Sequence, residues 1–135
     1  MDDNYVINNL NEFLKSIYIN MNIFEYYIKK SRDKKVIYRI SKIQEDYKKH
    51  SNRICEIILQ LGGVPIEISH NYDDFDNYIK TSKKEIFNET CEVSSKGVTL
   101  GYKLIHDPDF LNHESYNLIN LITKDYQRHI NLLER

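Results

Sequence analysis

Two short segments carry the side chains best suited to chemistry: Asp46-Tyr47-Lys48-Lys49-His50 and Asp125-Tyr126-Gln127-Arg128-His129. Both read D-Y-[KQ]-[KR]-H. On a helix, residues three or four apart share a face, so each segment can turn a carboxylate and an imidazole toward one spot. Imidazole and carboxylate together suit a first-row transition metal or a buried polar network. Other candidates are sparser. Glu85, Glu89 and Glu92 form an acidic row at i, i+4 and i+7, which reads as a solvated face. Cys55 and Cys91 lack CxxC spacing and read as reduced, packed thiols. Cys91 near Ser94 and Ser95 has no assignable base-orienting group for nucleophilic catalysis. His70, His106 and His113 fall near element ends and read as exposed. Phosphate-binding glycine loops and the G-x-S-x-G nucleophile elbow are absent from the sequence.

Four helices are expected to position these residues. Leu10, Leu14, Ile17, Met21, Phe24 and Ile28 form one apolar stripe, placing a first helix at about 4–30. Val36, Ile40, Ile43, Tyr47, His50, Ile54, Ile57 and Leu61 form a second stripe. Ser31 or Asp33 can cap its start, and Leu61-Gly62-Gly63 with Pro65 stops it. Asn71, Asp73 and Asp74 offer caps for a third helix with Phe75, Ile79, Ser82, Ile86, Thr90, Val93, Gly97, Leu100 and Leu104 on one side. It is expected to run to about residue 106. Asp107-Pro108 reads as the start of a fourth helix, carrying Leu111, Leu118, Ile122, His129 and Leu132. Short connections within each pair imply two antiparallel hairpins packed as a four-helix bundle, an all-α fold in a single domain over 1–135. The path from the second helix to the third stays open. The two D-Y-x-x-H segments lie on the second helix of each hairpin, and Tyr27 and Tyr102 near the ends of the first and third helices add to the impression of two related halves.

Composition bounds the function classes. Of 135 residues, 41% are hydrophobic and 29% charged, with 4 Gly, 2 Pro and no Trp or Ala. Few breakers argue against many short strands. Nineteen Lys and Arg balance twenty Asp and Glu, for a net charge of −1, so nucleic acid is a poor partner. No apolar run approaches the ~20 residues of a membrane span, and the N-terminus lacks signal-peptide character. A cytoplasmic, globular protein is expected, with no membrane association.

The two-hairpin layout and the paired His50 and His129 resemble the ferritin-like superfamily. Leu61-Gly62-Gly63-Val64-Pro65 and Tyr102-Lys103-Leu104 are similar to a bacterial branch of it, made of single-domain four-helix bundles. Members of this kind serve in stress responses or spore coats, so the resemblance implies such a process. It also implies a di-metal carboxylate centre, built from a Glu on each of two helices and a Glu-x-x-His on each of the others. Here the sequence departs. Tyr47 and Tyr126 stand where each Glu-x-x-His has its acid, Ser95 stands where the branch often has a Glu, and Glu25 on the first helix faces away from the apolar stripe. Metals without those carboxylates would leave uncompensated charge in a low-dielectric core. The expectation is a bundle without a complete di-metal centre or cofactor, serving as a structural or interaction module. Tyr47, Tyr126 and Ser95 would fill its polar core, with His50 and His129 bonded to phenols or carboxylates. The eleven Tyr suit association as a homodimer or with a protein partner. The competing reading is an oxidoreductase-like bundle with a reduced ligand set, holding iron or zinc through His50, His129, Asp46, Asp125 or Glu25.

Overall fold

The structure, a computed structural model, describes residues 3–67, 83–107 and 113–133. Four helices account for most of them: α1 (Asp3–Lys30), α2 (Lys34–Gln60), α3 (Lys83–Ile105) and α4 (His113–Leu133). The expected starts of the third and fourth helices, including Phe75, Ile79, Ser82, Pro108 and Leu111, lie outside the described residues, as do the side chains of Glu89, Val93, His113 and Leu132.

Local chemistry explains the helix ends. The Asp33 side chain accepts the backbone N–H of Lys35 at 2.9 Å, capping α2. At its other end Gly62 adopts φ +84°, which only glycine takes without strain. Gly62 N–H then donates to Leu59 O, and Gly63 N–H to Ile58 O, closing the helix as a Schellman motif. A Cβ on Gly63 would lie 2.7 Å from the Ile7 side chain of α1, so the chain leaves α2 pressed against its neighbour. Asn11 ties it there: its amide donates to Val64 O at 3.1 Å and its Oδ1 accepts from Ile66 N–H at 3.0 Å.

Each helix packs on two others, α1 on α2 and α3, and α4 on α3 and α2. Inter-helix pairs give the directions. Tyr18 meets Cys55 and Phe24 meets Tyr47, so α1 and α2 are antiparallel. Gly97 faces Tyr126 and Cys91 approaches Ile130, so α3 and α4 are too. Tyr5 near the start of α1 donates to Asp107 just past α3, which makes that pair antiparallel. It follows that α2 and α3 run parallel, as Arg39 over Phe87 and Tyr47 beside Ser94 also show. The open connection is therefore a crossover. The end of α2 and the start of α3 lie at opposite ends of the bundle, whose length is about 40 Å for the 27-residue α2 at 1.5 Å per residue.

The expected α1 stripe is buried at Leu10, Leu14, Ile17, Met21 and Phe24, with Ile28 only partly so, and the buried face widens to take in Val6, Phe13, Asn20 and Tyr27. The α2 stripe is buried as expected from Val36 through Ile57. In α3 the buried face includes Ile86, Thr90, Ser94, Gly97, Gly101 and Leu104. The small residues let α4 approach closely. Thr90 and Thr123 are buried in this layer, where each hydroxyl donates to the carbonyl four residues earlier. Tyr102 does not mirror Tyr27: it is 52% exposed while Tyr27 is buried, because the α3 face toward the core passes through Gly101.

Candidate functional site

Four buried polar side chains, one from each helix, lie at mid-height beside the buried His50 and His129: Asn20 from α1, Tyr47 from α2, Ser94 from α3 and Tyr126 from α4. The phenol rings fill the centre. Their centroids are 5.0 Å apart, and both side chains are fully buried. Tyr47 stacks on Phe24 at 5.2 Å with nearly parallel planes, and its hydroxyl meets Ser94 Oγ at 3.2 Å. Tyr126 takes Phe13 edge-on at 6.2 Å and turns its hydroxyl toward Ser16 and Asn20 of α1. Its ring also lies on Gly97, where a Cβ would come within 2.7 Å of Cζ. Gly97 is therefore the socket of Tyr126. Burial holds both phenols well above the ordinary tyrosine pKa, so they are neutral donors at physiological pH.

The imidazoles flank this plug, and their partners cross between helices. His50 on α2 reaches Asp125 on α4, with Nε2 to Oδ2 at 2.8 Å; His129 on α4 reaches Asp46 on α2 at 2.9 Å. The expectation that these histidines bond carboxylates holds, but the carboxylates belong to the opposite helix. Arg128 lies between them, its Nη2 3.3 Å from Asp46 Oδ2 and 3.3 Å from Asp125 Oδ1. A carboxylate only accepts, so each Nε2 carries the proton. Burial lowers the pKa of His129 from 6.5, outweighing the Asp46 hydrogen bond that raises it. His129 is thus neutral near pH 7. Its Nδ1 is a buried lone pair with no hydrogen-bond partner, beside the Tyr47 ring that its own ring meets edge-on at 5.5 Å.

The remaining candidates separate from this cluster. Ser95 is exposed and donates to Cys91 O at 2.8 Å, which corrects its placement in the polar core; the neighbouring Ser94 is the inward residue. Glu25 lies on the outside of α1, 3.4 Å from Lys29. Neither cysteine is in a disulfide and both are partly buried, Cys55 beside the Tyr18 hydroxyl at 3.5 Å. His106 is exposed at the end of α3. Sequence reasoning missed Asn20 and Arg128. Asn20 had a signal, a polar residue seven after Phe13 and seven before Tyr27 on one face; Arg128 had none beyond its place in the repeat. Among the described residues no three His, Cys, Asp or Glu converge as metal ligands. No described helix is long and apolar enough to cross a membrane.

Neither a protein-family model nor a curated protein matches this chain. Solved structures do. The dodecameric thioferritin of Bacteroides fragilis, a bacterioferritin-related protein, superposes with TM-score 0.82 at 14% identity, covering 99% of this chain and 84% of that one. A two-domain protein of Anabaena variabilis, with DJ-1/ThiJ/PfpI-like and ferritin-like domains, gives TM-score 0.81 at 12% identity over 98% of this chain and 36% of that chain. A ferritin-like, diiron-carboxylate protein from Bacillus anthracis gives 0.76 at 16% identity, covering 100% of this chain and 98% of that one. The chain has the ferritin-like fold.

Proposed function

We propose that this protein is a ferritin-like bundle in which a buried phenol pair takes the place of the di-metal centre, and that it acts as a non-catalytic structural or interaction module. The observation that carries this reading is the identity of the four inward side chains. A di-metal centre asks for acids there, to offset the charge of two cations. Asn20, Ser94 and two neutral tyrosines supply no negative charge, and the two nearby carboxylates are engaged by imidazole and guanidinium. These residues do not fit the group.

Association is supported by the outer surface. Tyr38, Leu59, Tyr102 and Leu121 are each more than half exposed, and such residues favour contact with a second copy or a protein partner. With a net charge of −1, the reading includes neither a nucleic-acid partner nor a membrane role. It places the protein in the cytoplasm, and by resemblance in a stress- or spore-related process.

Elemental analysis of the purified protein tests the reading, before and after incubation with Fe(II), Mn(II) or Zn(II). The expected result is substoichiometric metal and a thermal transition indifferent to these ions and to EDTA. One equivalent of metal per chain, lost in His50→Ala and His129→Ala, would overturn it in favour of the reduced-ligand oxidoreductase.

A further inference from the structure

The charge of the chain is nearly balanced in sum and unevenly placed. Between Lys29 and Lys42 it carries seven Lys and Arg and one acid, Asp33, for a net charge of +6. The whole chain is −1, so the other 121 residues carry −7. The fold gathers the cations at one end of the bundle, on the last turn of α1, the α1–α2 turn and the first turns of α2. Asp33 is committed to capping α2, and Lys29 pairs with Glu25 at 3.4 Å. Among the described residues Lys30, Arg32, Lys34, Lys35 and Lys42 are exposed and form no ion pair. Lys84 and Glu85, where α3 begins at the same end, offset each other. Helix stability does not account for this placement. The positive end of a helix dipole favours anions, and α1 has Asp3 in its first turn, yet the first turn of α2 holds Lys34 and Lys35 and no acid. Beside them Tyr38 is 64% exposed, with Lys42 Nζ 5.5 Å from its ring centre, and Arg39 lies over Phe87 of α3 at 5.4 Å.

We infer that the cationic tip of the α1–α2 hairpin, Lys29 to Lys42 with Tyr38 at its edge, is the docking surface for a short acidic segment of a protein partner. This rests on the interaction-module reading and names the chemistry of the partner. Charge complementarity carries it: exposed cations of one sign draw carboxylates and reject cationic surfaces. Arg32 offers the planar fork that matches a carboxylate, and Tyr38 adds apolar area with a polar tip. Length selects the partner class. From Lys34 to Lys42 α2 rises only about 12 Å at 1.5 Å per residue, and the rest of the molecule is net negative. A nucleic-acid strand or an anionic membrane carries its charge well past that distance and would meet the acidic remainder. A segment with a few acids would not.

Fluorescence anisotropy of a fluorescein-labelled octaglutamate peptide, titrated with the whole chain, is the test. Saturable binding of one peptide per chain is expected at about 50 mM salt, falling steeply toward about 500 mM. Lys30→Glu/Lys34→Glu/Lys35→Glu should weaken it by at least about 10-fold, whereas Lys15→Glu/Lys96→Glu/Lys103→Glu, at exposed sites away from the tip, should leave it within about 2-fold. The two triple variants have the same net charge, so only placement distinguishes them. The tip variant should also melt no lower than the parent, since acids in the first turn of α2 suit its dipole. A lower transition would show that these lysines serve the fold, and overturns the inference. So does the absence of saturable binding, an equal loss in both variants, or tighter binding of short single-stranded DNA or of phosphatidylserine vesicles. Self-association at low salt that the tip variant abolishes overturns it in favour of a second copy. A protein that holds stoichiometric metal and still binds the peptide overturns only the metal-free reading; a metal-free protein blind to the peptide overturns only this inference.

Discussion

The two D-Y-x-x-H segments are alike in sequence and differently housed. Tyr47 lies flat on Phe24 and bonds Ser94; Tyr126 meets Phe13 edge-on and is seated on Gly97. His129 is almost wholly enclosed, its side chain 4% exposed, while Asp46 across from it is 32% exposed. In the other pair the values are 11% for His50 and 21% for Asp125. The fourth residue differs most: Arg128 reaches both carboxylates, whereas its counterpart Lys49 is an exposed residue of α2. A repeated motif therefore supplies paired geometry, and its neighbours decide how far each imidazole and carboxylate is enclosed.

That asymmetry can be broken in graded steps. The largest loss is expected from Tyr47→Ala or Tyr126→Ala, each about 3–5 kcal/mol in urea unfolding, because each removes a fully buried ring. Gly97→Ala should cost about 1–3 kcal/mol through overpacking against Tyr126, and Tyr126→Leu should recover part of it. The Ser94→Ala exchange on the Tyr47 side adds no bulk and removes one hydrogen bond, for about 1 kcal/mol. If Gly97→Ala and Ser94→Ala cost the same, the two tyrosines are housed alike after all. Asp46→Asn weakens a charge-assisted hydrogen bond to an enclosed imidazole and should cost about 1.5–3 kcal/mol. Arg128→Ala, at a mostly exposed guanidinium, should cost less than about 1 kcal/mol.

A pH series sharpens the same contrast. His129 takes up a proton less readily in the folded protein than its ordinary value of 6.5. As pH falls through that value the unfolded chain binds the proton first, so the folded state loses stability down to the lowered folded-state pKa. Above both values this contribution to stability is undiminished. Thermal melts from about pH 7.5 to about pH 5 should show this decline, and His129→Gln should flatten it.

Much of the architecture was legible in periodicity. Alternating steps of four and three located α1 and α2 nearly to the residue, since a helix that buries one face must repeat that way. The Leu61-Gly62-Gly63 stop was legible because only glycine accepts the required backbone. The site was legible in composition and opaque in partnership. Spacing showed that Asp46 and His50 share a face, but partner choice depends on how α2 is rotated against α4. In antiparallel helices an offset of four sets the acid of one segment beside the base of the other. Ser94 and Ser95 differ by 100° around α3, less than a stripe of small residues can discriminate. The buried face of α1 is wider than its apolar line: Asn20 lies within it, and a polar residue inside an apolar face is the mark of an interior network.

The crossover between α2 and α3 has an effect far from itself. A tight reversal there would turn α3 against α2 and leave α4 running in the same sense as α2. The twin pentapeptides would then lie like beside like, Asp46 level with Asp125 and His50 level with His129. Carrying the chain back along the bundle before α3 begins turns a duplicated, self-repelling segment into a self-complementary one, without altering a single residue of either copy.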